Sequence, residues 1–191
     1  DASGGTNEKG EVVEEGSYDP IEDVKFLENE LDMWYLGIMK RGWDKFARTM
    51  QQERANVVKT IAKRLSGLRV MEEHVEDCLK EKNLSGKAPE KWSESEMLSF
   101  AQGLRKKTKP IVIVANKCDR KTSKKNIEIL KEKFNNYTII PCAADSELAL
   151  REAAKLELIE YVPGENKFEM NELELNDRQK EGLEVIEKNV L

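Results

Sequence analysis

The sequence predicts an α/β chain in which a long all-helical stretch precedes a strand–helix–strand–helix unit with parallel strands. Three observations predict it. From Pro20 to Lys106, apolar residues recur mainly at three- and four-residue steps. At Pro110 the period changes, and five small or β-branched residues, Ile111 to Ala115, follow without interruption. About 25 residues later a second short apolar run, Tyr137-Thr138-Ile139-Ile140, leads into Pro141, with helix-periodic residues between and after.

Residues 1–19 are acidic and Gly-rich, and read as a loop or mobile linker. Asp19-Pro20 starts a strong helix, with proline suited to its first turn. Val24, Leu27, Leu31, Trp34, Ile38, Phe46 and Met50 form its expected inward stripe, widened by Phe26, Met39 and Trp43. Gly37 and Gly42 mark a kink or a close helix contact. A second helix fits Glu53 to Leu65, and Ser66-Gly67 ends it. A third covers Glu72 to Lys82, with Val75, Cys78 and Leu79 inward. His74, the single histidine, lies there among charged residues and reads as an exposed bystander. Ser93-Glu94-Ser95-Glu96 is a capping box, opening a helix through Met97, Leu98, Ala101 and Leu104.

The run 111–115 reads as a strand buried on both faces. A helix from Ser123 carries Ile127, Leu130 and Phe134. The second strand, 137–142, is followed by a helix from Glu147 to about Leu156. Right-handed crossover puts both strand ends on one edge, so the Asn116 and Cys142 loops are expected to be neighbours. From Tyr161 to Leu175 the pattern is broken, with isolated Phe168, Met170, Leu173 and Leu175. Asn176 or Asp177 then caps a last helix carrying Leu183, Ile186 and Val190. The expected organisation is a linker (1–19), a helical block (20–106), an α/β segment (107–160) and a C-terminal extension (161–191).

The 191 residues, 36% charged and 39% hydrophobic with net charge −5, suit one or two compact domains. No apolar run approaches the ~18 residues of a spanning helix. With no signal-like start, no membrane partner is expected. Cys78, Cys118 and Cys142 are odd in number and lack metal-type spacing, which suits free thiols in a reducing cytoplasm. A chain beginning at Asp1 rather than Met reads as a fragment. Charge is uneven: residues 1–30 hold ten acids against two bases, and residues 105–133 hold eleven bases against three acids. Lys121, Lys124 and Lys125 in the basic block are candidates for phosphate or RNA contact, with a solvated face as the plainer reading. No DNA partner is expected.

The first strand ends in Asn116-Lys117-Cys118-Asp119, where ligands bind in open α/β sheets. Asn-Lys-x-Asp in this place resembles the guanine-reading motif of P-loop GTPases. One carboxylate, Asp119, can accept from guanine N1–H and the exocyclic amine together. Adenine lacks that donor pair. Asn116 can donate toward N7 and brace neighbouring loops. Lys117 can lay its alkyl stem along the base face with its ammonium in water. A backbone N–H of the loop after the second strand can meet O6, Ala144 foremost, with Ala143 beside it.

Over nearly its whole length the chain resembles the Obg-related, YchF-like GTPases of the archaeal and fungal type. The residues that carry the resemblance include Asp1-Ala2-Ser3-Gly4, Asp19-Pro20-Ile21-Glu22-Asp23-Val24 and Trp34-Tyr35-Leu36-Gly37-Ile38. Arg64-Leu65-Ser66-Gly67-Leu68, Asn116-Lys117-Cys118-Asp119 and Ser146-Glu147-Leu148-Ala149-Leu150-Arg151 continue it. The resemblance implies the C-terminal, base-binding half of a Rossmann-like P-loop GTPase domain, with residues 20–106 as a large all-helical insertion. It implies GTP or GDP as ligand, a ribosome- or translation-linked role, and GTP hydrolysis in an intact parent. Some YchF-like relatives replace Asn-Lys-x-Asp and prefer adenine nucleotides; this chain keeps it. Ala143 stands where Ser is commoner, which removes a side-chain contact. The Gly-x-x-x-x-Gly-Lys-[Ser/Thr] loop, the Asp-x-x-Gly switch and the Mg2+ ligands are expected before Asp1. On that expectation the chain has no catalytic residue of its own and is inactive alone. The alternative is a helical, basic-faced adaptor for RNA or the ribosome without nucleotide chemistry.

Overall fold

The structure, a computed structural model, describes residues 1–171 and 174–190. Leu173, one of the expected apolar positions, lies outside the described residues. The chain divides into two compact units, Val24–Ile111 and Asp1–Asp23 with Val112–Leu191.

The first unit is helical. Helix α1 (Pro20–Lys40) has its last seventeen residues here, and is followed by α2 (Trp43–Gln52), α3 (Val57–Arg64), α4 (Glu72–Glu81) and α5 (Glu94–Thr108). The predicted first helix is two helices. The break falls at Gly42, whose φ of 62° lies in the left-handed region that glycine enters without penalty. Asn56 caps α3, its side chain accepting from Lys59 N–H, so the helix starts later than predicted. His74 is not a bystander, because its Nδ1 accepts from Met71 N–H at the start of α4. The predicted box at Ser93 and Glu96 forms in both directions.

The unit's core centres on Tyr35, Met39, Ile61, Val75, Cys78, Phe100, Ala101 and Leu104, all fully buried. Trp92 links Trp43 and Phe100, with ring centroids 5.5 and 4.8 Å away. The large side chains contribute about 1.5–3 kcal/mol each on burial. Helices α4 and α5 meet at Gly103, where an added Cβ would lie 2.4 Å from Cys78 Sγ. Burial pushes the Cys78 thiol up to about 11.

The expected inward stripe of α1 is corrected. Phe26, Leu27 and Trp34 are at least half exposed, whereas Asp32, Tyr35, Leu36 and Met39 are buried. The buried face includes Asp32 because Arg105 of α5 meets it there. Arg105 Nε donates to Asp32 Oδ1 at 2.7 Å, and Gln102 Nε2 donates to Oδ2 at 2.9 Å.

The second unit holds β1 (Val112–Ala115), α6 (Ser123–Lys133), β2 (Thr138–Pro141) and α7 (Ala144–Lys155). Strands β1 and β2 pair in parallel, Val112 opposite Thr138 through Ala115 opposite Pro141. The crossover helix α6 brings Ile127 against Ala2 and Ala115. Among the described residues, only that face of the pair is covered. Val112 and Val114 on the other face are 56% and 60% exposed, so β1 is not buried on both faces as expected.

The stretch read as broken contains a small antiparallel pair, β3 (Ile159–Glu160) and β4 (Glu169–Met170). It closes over a second core of Leu150, Ile159, Phe168, Leu175 and Leu183 with the last helix, α8 (Asp177–Asn189). Asn176, rather than Asp177, caps α8.

Candidate functional site

The parallel ladder continues past both strands. Cys142 N–H donates to Ala115 O and Cys118 N–H to Cys142 O, each at 3.0 Å. Asn116-Lys117-Cys118-Asp119 and Cys142-Ala143-Ala144 therefore sit side by side. Burial holds the Cys118 and Cys142 thiols above their ordinary range.

Asn116 ties the loops together. Its Oδ1 accepts from Lys117 N–H at 2.8 Å and from Ala144 N–H at 3.0 Å. The second bond caps α7 from outside its own segment. This tertiary cap explains why α7 begins at Ala144 and not at Glu147. It also alters the expected role of Ala144, whose N–H is engaged by Asn116 and is not an open donor. Ala143 is buried at the N-cap position, and Ala144 is exposed. Among the described residues, the N–H groups of Asp145 and Ser146 have no hydrogen-bond partner in the first turn of α7, as expected at a helix start.

Lys117 has a φ of 65°, uncommon for a residue with a side chain. Its ammonium is not left in water: Nζ donates to Asp1 Oδ2 at 2.8 Å and lies 3.4 Å from Thr6 Oγ1. Lys117 O accepts from Ser123 Oγ at 2.5 Å, which pins the loop to the start of α6. Asp119 follows with its carboxylate about one-third exposed and Arg120 Nε 3.8 Å away. A long contact of this kind at the surface contributes little, so the carboxylate stays available to a two-donor ligand edge.

The 1–19 segment, expected to be a loop or mobile linker, is hydrogen-bonded onto this loop. Ala2 N–H donates to Asn116 O at 2.9 Å. Thr122 Oγ1 and Asn126 Nδ2 donate to Ser3 O and Ala2 O at 2.8 and 2.9 Å. Gly4 sits at a φ of 64°, and a Cβ there would come within 2.2 Å of Tyr18 O. Asp1-Ala2-Ser3-Gly4 itself has the Asp-x-x-Gly spacing, which was expected only upstream. Its carboxylate is engaged by Lys117. Asp1, Thr6 and Ser123 are thus residues of the site that sequence reasoning missed. An acid two residues before a serine was the available signal, since Asp1 Oδ1 accepts from both Ser3 N–H and Ser3 Oγ.

Lys121, Lys124 and Lys125 are all exposed, the first just before α6 and the other two in its first turn. Among the described residues, no three His, Cys, Asp or Glu side chains gather as a metal-holding group. No described helix is long and apolar enough to cross a membrane.

Residues 114–191 match the family described as Obg-like GTPase YGR210-like, G4 motif-containing domain. A GTP-binding protein of Methanocaldococcus jannaschii is 43% identical over 187 residues, covering 97% of this chain and 46% of that protein. One from Schizosaccharomyces pombe is 26% identical over 190 residues, covering 100% and 45%. These likenesses support an Obg-like GTPase family. The crystal structure of a GTP binding protein from Pyrococcus horikoshii OT3 matches with a TM-score of 0.74 and 36% identity. That match covers 98% of this chain and 54% of the other. The α/β fold, with its parallel strand pair and many helices, is consistent with a P-loop GTPase domain. The chain spans a little under half the length of the curated relatives it matches.

Proposed function

We propose that this chain supplies guanine recognition in a GTP-binding protein of the cytoplasm. The observation that carries the reading is the fused pair of loops. Asn116-Lys117-Cys118-Asp119 and Cys142-Ala143-Ala144 lie at the same ends of two parallel strands, joined through Asn116 Oδ1. Asp119 accepts the two donors of the guanine edge, and Asn116 Nδ2 is left to donate toward N7. Lys117 covers a face of the base, and Ala143 and Ala144 form the wall opposite. GTP or GDP is the ligand. The YchF-like subtype, with a ribosome- or translation-linked role, is the reading of the parent that the sequence resemblance supports. Hydrolysis belongs to an intact parent, through phosphate-binding residues that these 191 do not supply. The described residues gather no group of three His, Cys, Asp or Glu side chains and so do not by themselves fit a Mg2+ site.

Asp119→Asn, made in the protein at the full length of its relatives, tests the base reader. Each hydrogen bond to the charged carboxylate is worth about 1.5–3 kcal/mol, so GTP affinity should fall roughly 10–100-fold or more. Xanthine nucleotides, which present an acceptor to the new amide, should gain. Unchanged GTP affinity refutes the assignment.

A second reading rests on the exposed lysines of the basic block. Lys121, Lys124 and Lys125 present positive charge for an RNA backbone. Salt-dependent RNA retention, lost in the triple Ala variant, supports it; equal retention by that variant refutes it.

A further inference from the structure

We propose that Asp1 and Thr6 are positioning residues that hold Lys117 as a fixed platform for the base. The inference rests on the guanine-recognition reading above. The Asp1 carboxylate is 9% exposed and takes donors on both oxygens. Ser3 N–H and Ser3 Oγ donate to Oδ1 at 2.9 and 2.7 Å. Thr6 Oγ1 and Lys117 Nζ donate to Oδ2 at 2.7 and 2.8 Å. Ser3 and Thr6 thereby fix the carboxylate that takes the lysine.

The consequence is mechanical. Lys117 leaves its backbone in a left-handed conformation, and its ammonium is anchored in the residue 1–6 turn. The four-carbon stem is therefore tethered at both ends. A free lysine would lose rotamer freedom on covering a purine face; an anchored one has already lost it. The turn itself is held by hydrogen bonds from Thr122 and Asn126. The platform is rigid from both ends.

A stem packed on a ring face does not read the ring's edge. Asp1 is therefore predicted to set affinity for the base and not its identity, which separates it from Asp119. The experiment compares GDP, IDP and ADP affinities for wild type, Asp1→Asn, Thr6→Val and Asp119→Asn, at the full length of the relatives. IDP lacks the exocyclic amine, so the GDP:IDP ratio reports the Asp119 pair. Asp1→Asn should weaken GDP and IDP equally, by about tenfold, and leave their ratio unchanged. Thr6→Val, which keeps the charge pair, should weaken both by less. Asp119→Asn should change the ratio. In the 191-residue chain, NMR should detect the Lys117 ammonium as an ordered, slowly exchanging group, lost in Asp1→Asn and kept in Asp119→Asn.

A wild type that binds GDP no better than ADP overturns guanine recognition itself. A wild type that prefers GDP, with Asp1→Asn unchanged in affinity or altered in its GDP:IDP ratio, overturns the platform alone. Should Asp1→Asn fail to fold, Thr6→Val decides: undiminished GDP affinity together with a disordered Lys117 ammonium refutes the proposal.

Discussion

Replacing Asp32 by Ala should destabilise the helical unit by about 3 kcal/mol, toward the lower end of the 3–5 kcal/mol expected when one partner of a buried ion pair is removed. The magnitude follows from what is left behind. Arg105 is 1% exposed, and its Nε meets Asp32 Oδ1 at 2.7 Å. Its other arm reaches Glu28 at 3.3 Å, where the carboxylate is 24% exposed and partly solvated. Glu28 therefore offsets part of the loss. Replacing both partners by apolar residues of similar size, Asp32→Leu with Arg105→Met, removes the need for charge compensation and should cost under about 1 kcal/mol. Trp34, Trp43 and Trp92 all lie within Val24–Ile111. Tryptophan fluorescence during urea unfolding thus reads this unit alone. For a unit of this size, 3 kcal/mol corresponds to a fall in Tm of about 12–24 °C. A single variant within 0.5 kcal/mol of wild type, or a double variant as unstable as the sum of the two singles, would refute the reasoning.

Two further outcomes are expected. Gly103→Ala sets a gain in helix propensity of about 1 kcal/mol against a Cβ 2.4 Å from Cys78 Sγ, and should be destabilising by about 1–2 kcal/mol. In a Cys78→Ala background the same change should be neutral or stabilising, which a double-mutant cycle by urea unfolding measures. Glu96 is held down to about 2 by the Lys87 ammonium first and by Ser93 N–H second. A lowered carboxylate pKa contributes stability that is fully present above its unfolded value near 4.5. That contribution is lost as pH falls from there through about 2. Carbon-detected NMR titration should place the Glu96 midpoint near 2 in wild type and move it upward in Lys87→Ala. An unmoved midpoint would show that the lysine is not the cause.

The helices were legible where local chemistry decides them. The Ser93 box and the apolar steps of α4 and α6 are all short-range, so the sequence carries them complete, and it narrows the cap of α8 to Asn176 or Asp177. The face of α1 was not legible. Any hydrophobic stripe drawn through α1 leaves out Asp32, yet Asp32 is buried because an arginine 73 residues away meets it. The start of α7 was hidden for the same reason. Its first N–H is capped by Asn116, 28 residues earlier, and no local residue announces that cap.

The same division runs through the candidate site. The sequence alone determined that Asn116, Lys117 and Asp119 follow a short apolar strand, and that a second strand and loop stand at the spacing of a parallel crossover. Those are matters of residue type and period, which depend on neighbours within a few positions. Only the tertiary structure decided that residues 1–18 form part of the site, that Asp1 takes the Lys117 ammonium, and that Asn116 rather than a ligand holds Ala144 N–H. Each of these is a hydrogen bond between groups far apart in the chain. Its donor and acceptor are ordinary residues until the fold brings them within about 3 Å, a distance that no local pattern of residue types encodes.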